Sequence, residues 1–124
     1  MNAKIQHSAF FGTEKQVFAL TDPIIAELER VTDLGIGAFY QRSIAMQFHV
    51  AHLSEIIRLG LIGGGMAPEQ AMHLTVTYAT NRPFDEIVPL ALDILDARWS
   101  GKPDLVTDAA QTGNLAAAIS EDAA

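Results

Sequence analysis

Apolar residues recur along this chain mostly at helical spacing, most clearly over residues 53–62. Their positions follow the i, i+3, i+4, i+7 rule of a helix with one buried face. They are Leu53, Ile56, Ile57, Gly60 and Leu61. Three glycines at 63–65 predict the end of this helix, because glycine adopts the left-handed C-terminal conformation without steric cost. Pro68 and Glu69 then predict a second helix over 68–80, since both residues suit a first helical turn.

The same spacing predicts three further helices. Asp22 and Pro23 are typical of a helix start, and an apolar face continues to residue 31. A second piece over 36–46 has Phe39 and Ile44 as its expected core residues. The longest helix, over 84–99, has an apolar face that starts at Phe84 and is expected to be buried. It carries Pro89 on its polar side, where water can satisfy the freed carbonyl group. We therefore expect a bend at this proline and not a break.

Two short β-prone runs, 8–11 and 16–20, flank Gly12 and predict a β-hairpin. Because an isolated hairpin is barely stable, it should pack on the helices. Residues 1–7 show no pattern and are expected to be frayed, and 102–124 are expected to form a mobile tail. The sequence thus predicts one mainly α domain over residues 1–101, with four to five helices and a short N-terminal β-hairpin.

Composition excludes several classes of partner. The chain has 124 residues, and its 15 acidic against 8 basic residues give a net charge of −7. This charge opposes binding to nucleic acid and to anionic membranes. Cysteine is absent, which excludes disulfides and thiolate chemistry, and no apolar run is long enough for a membrane span. We therefore expect a cytoplasmic protein, and its 49% hydrophobic content indicates that some apolar surface faces a protein partner.

The search for a metal site begins with His49 and His52, which are three residues apart and followed by Glu55. Two histidines at this spacing can share a helix face and bind zinc. No convincing third ligand is near in the sequence, so the alternative is that they are ordinary helix-start and partly buried histidines. The sequence predicts no metal and no cofactor.

The remaining candidates for chemistry have structural explanations. The glycines at 63–65 lack the Lys-Ser/Thr pair of a phosphate-binding loop. Asp93 and Asp96 share the polar face of their helix, where solvated carboxylates are the common case. No serine lies in a nucleophile-elbow context. We therefore expect a protein that is not an enzyme and has no catalytic residues.

Three segments together resemble a known family. They are Phe-Ala-Leu-Thr-Asp-Pro-Ile-Ile-Ala-Glu-Leu-Glu (18–29), the stretch at 56–71 with Gly-Leu-Ile-Gly-Gly-Gly, and Leu-Ala-Leu-Asp-Ile-Leu at 90–95. The chain is similar, over about residues 8–101, to the small tail-morphogenesis proteins of gene transfer agents and long-tailed bacteriophages. In that family a hairpin leads into a helix with a Glu-Leu-Glu element, and Gly-Leu-x-Gly-Gly-Gly ends a later helix.

The resemblance implies a non-enzymatic role in building a phage-like tail, and it leaves two roles open. One is a tail assembly chaperone or adaptor that binds the tape-measure protein until the tube polymerises. The other is a structural tail tube component of the gene transfer agent or phage particle. The short hairpin favours the chaperone, because a tube subunit normally needs a larger β-structure. The expected partner is the tape-measure or another tail protein, with homo-oligomers left open, in the cytoplasm or in a phage-like particle.

A partner-binding groove is predicted between the helices at 53–62 and 68–80. Gly60 would permit a close approach, and methionine side chains supply adaptable apolar contacts. The residues proposed to bind the partner are Gly60, Leu61, Met66, Met72 and Leu74. The alternative is that these residues fill the core of the domain itself.

Overall fold

The computed structural model describes residues 3–101, which form a hairpin followed by helices. A 3₁₀ turn (Ala3–Ile5) precedes the strands. The strands are β1 (Gln6–Phe11) and β2 (Glu14–Ala19), and the helices are α1 (Asp22–Thr32), α2 (Ile36–Ile44), α3 (Val50–Gly63), α4 (Pro68–Tyr78) and α5 (Phe84–Ser100). The prediction of a mainly α fold with an N-terminal β-hairpin is confirmed. Residues 102–124, predicted to be a mobile tail, lie outside the described residues.

The hairpin has a two-residue turn and an unbroken antiparallel register, from Phe11 opposite Glu14 to Gln6 opposite Ala19. Gly12, the first turn residue, has φ +80°, as a type II′ turn requires, and this conformation favours glycine. The strands are longer than predicted, and the loop is shorter. Since a 3₁₀ turn forms at Ala3–Ile5 and β1 begins at Gln6, the expectation of a frayed end is wrong for residues 3–7.

Helix α3 lies at the centre of the fold and packs against β2, α1, α4 and α5. The largest side chains that are completely buried come from β2, from the residue that follows it, and from α1, α3 and α5: Phe18, Leu20, Leu28, Ile56, Ile57, Leu59, Leu61, Ile94 and Leu95. Each such burial stabilises the fold by roughly 1.5–3 kcal/mol. The helices therefore surround α3, and the hairpin covers α3 through β2 and α5 through β1.

The glycine corner, defined here as Gly63 and Gly64, brings the end of α3 against the backbone of β2. A Cβ at Gly63 would overlap the Ala19 carbonyl oxygen, and a Cβ at Gly64 would overlap the Val17 carbonyl oxygen. Gly65, with φ +114°, is the member of the triple that adopts a positive φ. The predicted helix end is confirmed. The first two glycines also permit a close helix-strand approach that was not predicted, since the sequence analysis expected a close approach at Gly60 and between helices.

Two expectations about single residues have opposite outcomes. Pro89 is exposed and α5 continues through it, so the helix is not broken, as predicted. Ile44 was expected in the core, but its side chain is 52% exposed. The buried face of α2 instead pairs Phe39 with Ser43, whose hydroxyl donates to the Phe39 carbonyl oxygen over 2.9 Å. That local hydrogen bond lets a polar residue take the core position one turn after Phe39.

We predict that Gly63→Ala and Gly64→Ala each lower the free energy of unfolding by about 3 kcal/mol, because a new methyl group meets backbone that cannot rotate away. Urea denaturation followed by circular dichroism measures this effect. The control is Gly37→Ala in α2, where a Cβ meets nothing within 4 Å. This control should raise the free energy of unfolding by about 0.5 kcal/mol. Equal effects at all three positions would contradict the glycine-corner interpretation.

Candidate protein-interaction surfaces

The structure buries two of the five residues that were predicted to bind a partner. Leu61 is completely buried, and Gly60 lies on the buried side of α3. A Cβ at Gly60 would lie 3.4 Å from side-chain atoms of Phe18 and of Ile94. Gly60 and Leu61 thus contribute to the core of the chain itself, and substitutions there would perturb folding before binding. A partner-binding role for them stays a prediction.

The other three residues lie on different parts of the surface. Met66 lines a shallow cavity of about 260 Å³ between β2 and the start of α4, together with Leu61. Leu74 is partly buried beneath the hairpin turn, beside Gly12. Met72 is 49% exposed and lies one helical turn from Val76, which is 57% exposed. The structure therefore brings Leu61 and Met66 together, whereas Met72 belongs to an exposed apolar stripe of α4 with Val76.

A second apolar surface, here called the end cavity, was not predicted from the sequence. It has a volume of about 350 Å³ where the starts of α3 and α5 meet the end of α4. Its apolar lining is Val50, Leu53, Ala79, Phe84 and Ile87. Val50 is 57% exposed and Phe84 is 53% exposed, although the sequence analysis placed Phe84 on the buried face. Both residues begin a helix, and a helix end that projects from the core exposes its first turn.

An aromatic contact holds one wall of the end cavity in place. The rings of Phe48 and Phe84 meet edge to face, with 6.2 Å between their centroids. Edge-to-face pairs of this kind contribute roughly 0.5–1.5 kcal/mol beyond their burial. One aromatic residue, Phe48, lies just before α3, and another, Phe84, lies at the start of α5. These two positions are the sequence signal that could have indicated this site.

A third surface, here called the hairpin-α5 groove, runs between β1 and α5. Its cavity of about 380 Å³ has apolar lining from both elements and a charged rim. On the rim, the Arg82 Nε atom donates to a Glu86 carboxylate oxygen over 3.1 Å, and His7 Nε2 lies 3.9 Å from an Asp93 oxygen. The groove thus combines apolar space with an excess of carboxylates.

Asp96 forms a polar contact between two helices. The Tyr40 hydroxyl donates to Asp96 Oδ1 over 2.7 Å, and the Tyr40 ring stacks on Trp99 with 4.1 Å between centroids. The hydrogen bond to Asp96 raises the pKa of Tyr40 above its ordinary value, and desolvation adds to the effect. This cluster joins α2 to α5.

The two histidines considered as a metal site are in ring contact with each other. The rings of His49 and His52 lie 5.0 Å apart, and Glu55 is bound to Arg58 over 2.6 Å. Within residues 3–101, no group of three metal-ligating side chains is close enough to hold an ion. Burial, and then the proximity of His49, lower the pKa of His52, while Glu55 opposes this shift. Proton binding to His52 therefore works against the fold.

This lowered pKa predicts a pH-dependent stability. The unfolded chain binds the His52 proton more readily than the folded chain, so the free energy of unfolding should fall as the pH drops through 6.5. The loss should level off below the pKa of the folded state. Urea denaturation should be followed from about pH 7.5 to about pH 5, the range in which histidine titrates. The free energy of unfolding should depend less steeply on pH in His52→Gln than in the wild type. The control is His73→Gln on the exposed side of α4. An unchanged slope in His52→Gln would contradict the prediction.

Comparison with known proteins identifies the family of this chain. Residues 4–101 match the family model described as "Phage tail tube protein, GTA-gp10", a range that includes both strands and all five helices. Neither the curated proteins nor the solved structures give a match. Across residues 3–101, each helix is too short or too polar to span a bilayer. The match confirms the resemblance to gene transfer agent and phage tail proteins, and the chain belongs to the phage tail tube protein family GTA-gp10.

Proposed function

We propose that this chain is a structural component of a phage-like tail, and that it acts in the tail tube through contacts with other protein subunits and not by catalysis. The family match over residues 4–101 carries this proposal. Because that range covers all the strands and helices described, the family shares the arrangement that the structure describes. We therefore expect the protein to be part of the particle.

The distribution of exposed apolar side chains supports a role in assembly. Val50 and Phe84 border the end cavity, Met72 and Val76 form the α4 stripe, and Phe10 is 71% exposed on the hairpin. These side chains lie on separate elements, so the chain offers apolar contacts at more than one place. A subunit of a polymer needs at least two such surfaces, because each copy contacts neighbours on different sides.

The lining of the end cavity carries little charge. Copies of a chain with net charge −7 repel one another, which favours solubility before assembly. Arg82 is the one charged residue among those lining the end cavity, and it is paired with Glu86. Contact through this cavity would therefore bury apolar surface without bringing carboxylates together.

A tail assembly chaperone that binds the tape-measure protein is the second candidate. The sheet in residues 3–101 has two strands, which is a small β-structure for a subunit that forms the wall of a tube. The end cavity is formed by three helix ends, and a cavity of about 350 Å³ can receive an apolar side chain from a partner helix. This observation favours a helical partner such as a tape-measure protein.

Quantitative mass spectrometry of purified tail-bearing particles, beside the soluble fraction of the producing cells, separates the two roles. A structural component should be present in a fixed, multiple-copy ratio to the other tail proteins. Absence from particles, together with co-purification of a very long helical protein from the soluble fraction, would favour the chaperone. Absence from both would contradict a role in the tail.

We predict that Val50→Asp and Phe84→Asp reduce the amount of chain bound to its tail partners by at least about tenfold, a loss of about 1.4 kcal/mol. Each position is the first residue of a helix, where a carboxylate suits the helix dipole, so both variants should stay folded. Affinity purification from producing cells followed by quantitative mass spectrometry measures the bound fraction.

The matched control is Gly37→Asp, which adds the same charge to the first turn of α2 at an exposed position with nothing within 4 Å. Circular dichroism should show the helix content of all three variants unchanged. Wild-type binding by folded Val50→Asp and Phe84→Asp would contradict a partner contact at the end cavity.

A further inference from the structure

One edge of the hairpin is closed and the other is open. A two-residue turn makes Phe11 and Glu14 a hydrogen-bonded pair, and such pairs recur at every second position of the register. The backbone groups of Ser8 and Phe10 consequently point away from β2. On the opposite edge, the carbonyl groups of β2 face the glycine corner of α3. Among the described residues, nothing forms a hydrogen bond with the outward backbone groups of Ser8 and Phe10.

The open edge lacks the features that usually prevent strand pairing. Exposed edges are commonly protected by charged side chains, proline or a bulge. The six residues of β1 are Gln-His-Ser-Ala-Phe-Phe, with no Asp, Glu, Lys, Arg or Pro, and their register is unbroken. Phe10 extends from this edge strand with 71% of its side chain exposed. Within residues 3–101, the edge is therefore available for another strand.

Space for an added strand lies beside this edge. The hairpin-α5 groove continues into a second cavity of about 530 Å³, which shares His7 and Asp93 with it and extends to Gly101. The two cavities together follow the length of β1 along α5. A strand paired with β1 would lie roughly 4.8 Å from it. Alternate side chains of that strand would point into the groove, towards Ile87 and Leu90.

The charges of the groove indicate the chemistry of the occupant. The carboxylates are Glu86 and Asp93 in the groove and Asp96 in the cavity that continues it. The basic side chains are Arg82, which is already bound to Glu86, and His7. The surplus of carboxylates near Asp93 and Asp96 favours a basic segment. The sequence of residues 102–124 is acidic, with one Lys against four Asp and Glu residues, and β1 of a second copy carries no formal charge. Neither complements the rim.

We propose that the edge of β1 is a strand-addition site for an extended segment of a partner protein, with apolar side chains at alternate positions and Lys or Arg beside Asp93 and Asp96. Backbone hydrogen bonds to Ser8 and Phe10 hold the segment, and the apolar floor of the groove receives its side chains. The site deepens the proposed function, because it rests on the chain acting through protein contacts. The edge of β1 does not line the end cavity, although the hairpin-α5 groove shares Arg82 and Ile87 with that cavity.

The test uses the full chain and a synthetic peptide, Lys-Val-Thr-Val-Thr-Val-Lys, with an aspartate-flanked counterpart as the charge control. NMR measures amide exchange residue by residue. Saturating lysine-flanked peptide should slow the exchange of the Ser8 and Phe10 amides by at least about tenfold. The aspartate-flanked peptide should bind more weakly, because Asp93 and Asp96 repel it. Unchanged exchange at both amides would overturn the proposal.

Two variants separate pairing at this edge from a general effect on folding. Ser8→Pro removes an outward N–H group, which an edge strand tolerates, and should abolish peptide binding. Ser8→Ala keeps the N–H group and should bind normally. Equal binding by both folded variants would overturn the proposal.

The two other candidate occupants of the edge are residues 102–124 and a second copy of the chain. Amide exchange would detect either of them without any peptide. Protection of Ser8 and Phe10 in the dilute chain would mean that residues 102–124 cover the edge. Protection that grows with chain concentration would mean that a second copy covers it. Either result overturns the proposal of a partner strand. The peptide result does not depend on whether the protein is present in particles, so failure of this inference and failure of the proposed function are distinguishable.

Discussion

The contact between the glycine corner of α3 and the backbone of β2 is the constraint on which the rest of the structure depends. Gly60, Gly63 and Gly64 follow the i, i+3, i+4 spacing and give α3 one flat side, on which β2 lies. This approach positions Phe18 and Leu20 in the core. The same glycine pattern that ends the helix therefore also anchors the hairpin, which would be barely stable alone.

This arrangement decides which surfaces remain for other proteins. The glycine corner closes the edge of β2, so the edge of β1 is the one that faces outward. The first turns of α3 and α5 project from the core and expose Val50 and Phe84 around the end cavity. A family of tail proteins depends on contacts between subunits, and this chain offers apolar or unpaired backbone surface at both places. The net charge of −7 makes copies of the chain repel one another.

Much of the fold could be predicted from local chemistry, because hairpin and helix starts depend on neighbouring residues such as Gly12 and Pro68. The family was also recognisable from the Gly-Leu-x-Gly-Gly-Gly segment. The site was harder to predict. Periodicity identifies the apolar face of a helix, but it does not tell which turn of that face extends beyond the core, so Phe84 was placed inside. Nor does it tell whether a glycine meets a helix or a strand, and β2 approaches α3 through contacts distant in sequence.

Hydrogen-exchange mass spectrometry of the chain, isolated and captured in tail assemblies from producing cells, tests most directly whether the protein works through these surfaces. We expect slower exchange in the assembly at β1 and at the first turns of α3 and α5. Exchange at the outer face of α1, away from these surfaces, should be unchanged. Identical exchange in both states, or protection confined to α1, would contradict the account.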